Sequence, residues 1–583
     1  MSLRPDDTNI EETVRRLALT NAVSYEGKAS KDSVLGRLLA ERPDLRTRLK
    51  EILPLVSRVV GEVNELPLEE QRTIVQEKWP EELRREKHEE ERVLPPLPNV
   101  EEYEQVVTRF APNPDCVLHM GSARAIVLCY EYAQMYNGRF ILRFEDTDPR
   151  LKRSALEFID LIKEDLLWLG CKWDAEYIQS DRLMIYYEYA EKIIRDGQAY
   201  VCTCFPKKFR DLVSMKRPCP CRDLAPGENL QRWNRMLDGT YDEGQAVVRI
   251  KTDLDHPNPA VRDWPALRII DPKRHPHPRV GQKYRVWPLY NFACGVDDHL
   301  LGITHIIRGK EHLTNQERQE YLYRYLGWEY PEAIHYGRLK IVGASLSKSE
   351  ILRGVKSGRY KSWDDPRLAT FAALRRRGIM PEAVRQMMIS IGPRPADIVL
   401  SWDNLYAQNR KLIDPIARRF FFVQDPIRLV VRKAPEEFMV DIPLHPDRPK
   451  LGSRHFEVNL RNDEASLLIS RKDLPIIKEE EVVRLMELFN FRADMFEKDT
   501  VLATFHSRSY EEARNLSAPL IHWIPDGTGL PCRVVMPDCS SLTGLVEDDL
   551  RGVRPGEVVQ FERFGFVRVD KVNGRPVVYY AHR

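Results

Sequence analysis

Residues 109–122 read RFAPNPDCVLHMGS, and the fold of the chain turns on that stretch. The run Val106–Phe110 is apolar and β-branched, as a buried strand is. Ala111-Pro112-Asn113-Pro114 is turn chemistry, and His119-Met120-Gly121-Ser122 opens a segment of helical periodicity. Strand, turn and helix start, in that order, leave free backbone N–H groups and the positive end of a helix dipole at the turn, where phosphates bind well. His119 can donate to a phosphate oxygen there, and Gly121 lets a base or ribose come close. Far downstream, residues 345–349 read SLSKS, a short Ser/Lys loop fit to bring a mobile cation onto phosphates as charge develops. Lys340, Arg353, Lys356, Arg359 and Lys361 surround it, and a merely solvated basic loop is the plainer reading of that run.

Working outward, the pattern predicts a βαβα opening. A helix is expected from Gly121 to Asn137, stopped by Gly138, then a strand over Arg139–Phe144. Leu156, Ile159, Ile162, Leu166 and Leu169 mark a second helix, and Tyr186, Tyr189 and Ile193 a third. Such alternation argues for a parallel sheet with helical crossovers. Residues 197–283 break it with Cys, Pro and short strands and read as an insertion. The sheet is expected to resume through Val286–Leu289 and Thr304–Arg308, and residues 362–412 to be helical. From Phe420 on, short runs such as Phe420–Val423, Arg428–Val431 and Val577–Tyr580 suggest one or two β-barrels. Ahead of all this, the first 93 residues carry Leu, Glu and Arg at helical spacing. Pro43-Asp44 suits a helix start, and Gly27 with Pro43, Pro54, Pro67 and Pro80 punctuates the block. The charged run Glu81–Arg92 leads to Leu94-Pro-Pro-Leu-Pro98, read as a stiff linker.

The chain has 583 residues, enough for several domains, with 43% hydrophobic and 31% charged residues, as in a globular enzyme. No apolar run reaches the roughly 18 residues of a membrane span, and the N-terminus MSLRPDDTNIEETVRR has no apolar core of a secretory signal. A net charge of +2 argues against a DNA-coating protein but leaves room for a local basic track that follows RNA. Ten cysteines in so long a chain do not make a disulfide scaffold. Four of them cluster: Cys202-Thr-Cys204 and Cys219-Pro-Cys221 can fold back into a tetrahedral zinc site in a reducing, cytoplasmic setting. Lys207, Lys208, Arg210, Lys216, Arg217 and Arg222 lie around them, expected to lower the thiol pKa values and to suit an RNA-facing knuckle. Four free thiols in a reduced loop are the alternative. The remaining Cys116, Cys129, Cys171, Cys294, Cys532 and Cys539 read as small buried residues.

The motifs Arg109–Ser122 and Ser345–Ser349 together resemble the two class-defining motifs of class I aminoacyl-tRNA synthetases, and the sequence around them resembles the archaeal and eukaryotic-type glutamyl branch. The family motif His-Ile-Gly-His stands here as His119-Met-Gly-Ser122, and Lys-Met-Ser-Lys-Ser as Ser345-Leu-Ser-Lys-Ser, with the second lysine kept as Lys348. Trp363-Asp-Asp-Pro-Arg367 is similar to the glutamyl/glutaminyl pattern. The resemblance implies a multidomain α/β plus all-β chain. Its parts would be an N-terminal helical extension (1–95), a Rossmann-type catalytic domain (96–196 and 284–340), an inserted acceptor-end domain (197–283), a loop and helical connection (341–415) and anticodon-binding β-barrels (416–583). It implies ATP-dependent activation of L-glutamate, with Mg2+ on the phosphates, and transfer to the terminal adenosine of tRNA-Glu, with tRNA-Gln as a second acceptor to test. His119, Gly121, Ser122 and Lys348 would carry catalysis, joined by Glu311, Leu346 and Ser347 around ATP. Arg109, Ala111, Asn113, Glu145, Tyr290 and Arg308 would hold glutamate, with Glu145 on the amine and guanidinium groups on the carboxylates.

Two other readings stand beside this one. The sister glutaminyl enzyme carries a non-basic residue where Arg308 stands, and a buried guanidinium facing a neutral amide is left unpaired. An inactive RNA-binding relative could explain Ser122 and Ser345, but not the joint presence of His119, Gly121, Lys348, Glu145 and Arg308. Arg143 and Asp148 are read as structural ion pairs. Arg410, Lys411, Arg418, Arg419, Arg428, Arg432 and Lys433 offer phosphate contacts in the C-terminal region. A monomer is expected, and docking of a partner protein is one role open to the N-terminal helices.

Overall fold

Val107–Phe110 (β1), buried throughout, pairs in parallel with Arg139–Phe144 (β2), and β2 pairs in parallel with Ala175–Ile178 (β3). The coordinates are those of a computed structural model, which describes residues 5–24, 27–42, 45, 49–79, 94–150, 156–344, 346–434 and 438–583. The helices Met120–Met135 and Leu156–Trp168 make the crossovers. The first stops earlier than its sequence suggests, and Gly138 is not its left-handed cap. Asn137 takes that conformation, at φ 49°, while Gly138 is needed because a Cβ there would stand 2.1 Å from the carbonyl oxygen of Val106.

The interruption is a sheet of its own. Ala199–Cys202 (β4), Val247–Ile250 (β5), Pro265–Ile269 (β6) and Val286–Pro288 (β7) pair antiparallel in that order. The run Val286–Leu289 therefore does not return to the parallel sheet, as its sequence suggested; it closes the inserted one. A short apolar run says that it will be buried, not against which neighbour.

The parallel sheet resumes with His305–Gly309 (β8), paired in parallel with Glu332–Tyr336 (β9). Thr304 joins the halves: its N–H donates to Val107 O at 3.0 Å, and Val107 N–H donates to Thr304 Oγ1 at 2.8 Å. The two parallel sheets lie side by side, β1 against β8, in the order β3-β2-β1-β8-β9, with the reversal of winding between β1 and β8. In such sheets the ligand crevice opens at the carboxyl ends of the strands beside that reversal, where Arg109 and Arg308 stand.

Leu94–Pro98 is not a free spacer. Leu94 and Leu97 are buried in the core around β1 and β2, Tyr132 Oη donates to Pro95 O at 2.9 Å and Leu97 N–H to Tyr136 Oη at 3.0 Å. On the far side of the sheet's sequence, Leu339–Ile341 (β10) pairs in parallel with Ile398–Leu400 (β11). Helices Lys348–Lys356, Phe371–Arg377, Pro381–Ile391 and Trp402–Ile413 complete that region. Lys348 is the first residue of a helix rather than part of a loop, and Ser345 lies outside the described residues.

Beyond residue 416 two β-systems interleave. Arg419–Phe420 and Phe422–Gln424 form the opposite edges of one seven-stranded sheet whose other strands all lie between Leu530 and His582. Because the two edges are one continuous segment kinked at Phe421, the sheet closes on itself. An eight-stranded sheet with its own core, built from residues 426–525, is spliced in between.

Residues 1–93 form a unit of their own. Helices Pro5–Ser24, Lys31–Glu41, Leu49–Asn64 and Leu68–Lys78 bury Val14, Leu17, Ala18, Val34, Leu38, Val59 and Val63. Pro54 sits inside the third helix instead of ending it. The carboxamide of Gln71, fully buried, donates to the carbonyls of Gly27, Val63 and Leu66. The proposed helix start at Pro43-Asp44, Pro80 and the run Glu81–Arg92 lie outside the described residues. Among those described, no helix is long and apolar enough to cross a membrane.

Candidate active site

One side of the crevice is built on His119. It caps the helix Met120–Met135: its Nδ1 accepts from Gly121 N–H at 3.0 Å, and Ser122 N–H donates to its carbonyl at 2.7 Å. The imidazole is buried, and burial with the nearby Lys348 charge pushes its pKa down to about 4. A neutral ring whose Nδ1 accepts must carry its proton on Nε2, so His119 presents a donor. Gly121 serves this ring first: a Cβ there would meet imidazole atoms at 2.8 and 2.9 Å, with Leu346 next at 3.6 Å. The expected close approach of a base or ribose to Gly121 thus shares that space with His119.

The second motif reaches the same place. Leu346 packs on the catalytic core, Ser347 Oγ lies 3.1 Å from Ser349 Oγ, and Lys348 Nζ lies 2.9 Å from Asp115 Oδ1. Glu311, in the turn Lys310–His312 that follows β8, is exposed, and its carboxylate comes no nearer than 4.0 Å to Arg338.

The other side of the crevice is a buried network of charges. Arg109 donates through Nε and Nη2 to both oxygens of Asp298, at 2.9 and 3.1 Å. Arg143, fully buried, donates to Asp298 at 2.7 Å, to Glu145 at 3.0 Å and to Cys294 Sγ at 3.3 Å. Burial alone would raise the Asp298 carboxyl, but Arg109 and Arg143 hold it far below its ordinary range. Asp297 beside it collects Gln179, Arg182 and Tyr186. Burial raises Glu145, with Arg143 opposing. The turn is clasped to the end of β2: Glu145 N–H donates to Pro112 O at 3.0 Å and Asn113 Nδ2 to Glu145 O at 2.7 Å. Ala111 precedes that clasp by one residue, and the buried Asn113 Oδ1 has no hydrogen-bond partner among the described residues. Arg143 is thus a structural ion pair as read, and Asp148 is another, on Arg268.

Arg308 differs from these arginines. It is 5% exposed, and its donors reach His335 Nε2 at 3.3 Å, Gln319 Oε1 at 3.2 Å and Tyr330 Oη at 3.0 Å. Burial and the Arg308 charge push His335 down to about 4, so that imidazole is neutral. Among the described residues Arg308 therefore meets only neutral acceptors. Tyr290 stands between the two charge groups: burial raises its hydroxyl pKa well up, Glu145 adds to the rise, and Arg308 and Arg109 oppose it. The hydroxyl stays a donor.

Sequence reasoning missed Asp297, Asp298, Arg182, Asp115, Gln319, Tyr330 and His335, while Cys294 is a buried thiol as read. None has a local motif; their partners are remote in sequence.

The cysteines lie elsewhere, in the inserted sheet. Cys202 ends β4, and the four Sγ atoms lie within 4.8 Å of one another, with Cys202–Cys219 and Cys204–Cys221 both at 3.8 Å. A tetrahedron of Zn–S bonds of about 2.3 Å has S···S edges of about 3.8 Å, so the residues fit the ion. Without a cation the basic neighbours do not lower every thiol. Hydrogen bonding to Cys219 raises Cys202, burial raises Cys204 to about 11, and Cys202 lowers Cys221, to which Arg232 donates at 3.4 Å. Several of the C-terminal arginines are engaged in ion pairs, Arg418 with Glu557 and Arg428 with Asp526 among them.

The family model for tRNA synthetases class I (E and Q), catalytic domain, matches residues 105–415; models for the anti-codon binding domain of the same group match 417–507 and 520–570. A glutamate–tRNA ligase of Pyrococcus furiosus is 52% identical over 582 residues, covering 98% of this chain and 100% of that protein. Those of Methanothermobacter marburgensis and Pyrobaculum calidifontis are each 47% identical, again over 98% of this chain and 100% of theirs.

Proposed function

The chain belongs to the class I (E and Q) tRNA synthetase family and is a glutamate–tRNA ligase of the archaeal type, and from that premise we propose how its residues divide the work. Arg308 receives the side-chain carboxylate of glutamate. It is the observation that carries the reading: a buried guanidinium whose partners are all neutral lacks a counter-ion, and a substrate carboxylate supplies one. Glutamine in the same place would leave the charge unmatched. Tyr290 donates its hydroxyl to the same substrate. Glu145, held by Arg143, accepts the α-ammonium. Arg109 is committed to Asp298 through Nε and Nη2, which leaves Nη1 to reach the α-carboxylate.

In the first half-reaction the glutamate α-carboxylate attacks the α-phosphate of ATP and pyrophosphate leaves. Position and charge do the work. His119 Nε2–H, oriented by the Gly121 and Ser122 amides that bond its ring and carbonyl, donates to a phosphate oxygen, and Lys348 neutralises charge on the departing phosphates. Mg2+ needs few protein ligands and arrives on ATP. The acyl group then passes to the terminal adenosine of tRNA, with the C-terminal sheets engaging the anticodon arm. Zinc held by Cys202, Cys204, Cys219 and Cys221 stiffens the inserted domain that meets the acceptor end.

The test is charging of purified tRNA-Glu and tRNA-Gln with labelled glutamate and, in parallel, labelled glutamine. Glutamate on tRNA-Glu is expected; its appearance on tRNA-Gln as well would make the enzyme non-discriminating. Glutamine on either tRNA would remove Arg308 from the role given to it.

A further inference from the structure

The two motif segments, remote in sequence, meet in one ion pair, Lys348 Nζ to Asp115 Oδ1 at 2.9 Å. The side chains are 36% and 26% exposed, so the pair lies at the solvent-facing rim of the crevice. Both carriers are anchored. Asp115 N–H donates to Asn113 O at 2.9 Å inside the Pro-rich turn, and Cys116 next to it is buried with Val117 and Phe158. Lys348 starts a helix, and Leu346, two residues earlier, packs on the core beside Gly121. The ammonium expected to meet phosphates has a carboxylate on it.

We infer that Asp115 is a positioning residue that parks Lys348 at the mouth of the nucleotide crevice and competes with the phosphates of ATP for it. The inference rests on the reading of Lys348 as the phosphate-binding lysine. The pair keeps the lysine from swinging into solvent, and ATP must take the ammonium away from Asp115 while entering beside that residue's negative charge. A triphosphate wins the exchange because it carries several charges to one. A half-exposed pair biases such an exchange only modestly, by up to about fivefold. Screening by salt weakens that bias further.

The experiment compares wild type, Asp115→Asn and Asp115→Glu for the equilibrium Kd of ATP by calorimetry, and for the KM of ATP and kcat in charging. Asp115→Asn, which keeps the shape and removes the charge, is expected to tighten ATP by about two- to fivefold in both Kd and KM, with a smaller change in kcat. Asp115→Glu is expected to restore wild-type values, and high salt to narrow the gap between wild type and Asp115→Asn. Unchanged or weaker ATP binding in Asp115→Asn would overturn the inference. So would an Asp115→Glu protein that behaves like Asp115→Asn. A wild type that binds ATP yet charges no tRNA would sink the activity reading instead, while the Kd comparison still decides Asp115.

Discussion

His119 is held in one protonation state and one tautomer by its surroundings. Burial and Lys348 bring its pKa down to about 4, so the ring is neutral above that pH and gains a proton only as pH falls through it. Protonation would turn Nδ1 from the acceptor of Gly121 N–H into a donor facing a donor. The rate of glutamate activation should therefore show no His119 limb between pH 5.5 and 8, and should fall as pH approaches 4. Replacing His119 by Ala is expected to lower kcat by about a hundredfold at every pH in that window. An imidazole-like limb near 6.5 that vanishes in the Ala variant would contradict the buried-neutral description. At this scale the sequence was partly legible. Arg308, Glu145 and Lys348 stand in strings that can be recognised, and the structure draws Arg109, Glu145, Tyr290 and Arg308 around one crevice. Asp298 could not be found that way, because what makes it matter is contact with two arginines from β1 and β2, far off in sequence. Nothing near Asp298 in the chain encodes that meeting.

The inserted sheet is the element with most to test. Its knuckle brings four sulfurs to tetrahedral spacing, backed by a small cluster of Tyr200, Phe209 and Val213 with Leu212, Leu224 and Val247 packed against it. So small a core depends on its metal. Gently purified protein is expected to carry about one zinc per chain. Cys219→Ser should lose it and raise the KM for tRNA, leaving the Kd of ATP near wild type; metal analysis with no zinc would remove the ion from the knuckle. The cysteine spacing was legible because metal chemistry writes a local pattern. The sheet that carries it was less so: Val286–Leu289 looked like any buried strand, and only its antiparallel pairing with β6 assigns it to the insertion. The Ser/Lys segment likewise reads as a loop by composition, yet Ser347 stands at the N-cap position of a helix that Lys348 begins.

At the scale of the whole molecule, buried ion pairs staple the two C-terminal sheets: Arg563 donates to both oxygens of the buried Asp473, and Arg454 makes a second bridge. Arg454, on a hairpin of the spliced-in part, donates to Glu547 at 2.7 Å and to Glu562 at 2.8 Å, and its guanidinium lies 4.6 Å above the ring of Phe421. Glu547 also accepts from Phe421 N–H at 2.9 Å. Removing the arginine strands a buried carboxylate, which costs about 3–5 kcal/mol. Arg454→Ala should therefore speed hydrogen exchange at the Phe421 amide by about a hundredfold or more, and leave ATP binding in place. Exchange at the wild-type rate would mean that the sheets hold together without it. The β-richness of this region was plain from its turns and short apolar runs, but the interleaving was not, since strands of two to eight residues carry no record of pairing order.

That splicing sets a timetable for synthesis. Phe422–Gln424 leaves the ribosome early, yet its partner Gly544–Val546 emerges only after the whole eight-stranded part has been made. At ordinary rates of translation the wait is on the order of ten seconds. Through that interval a phenylalanine-rich edge hangs unpaired on the nascent chain, the kind of edge that recruits other strands. The spliced-in sheet is complete first, and the seven-stranded one closes last, around a segment already anchored to its neighbour.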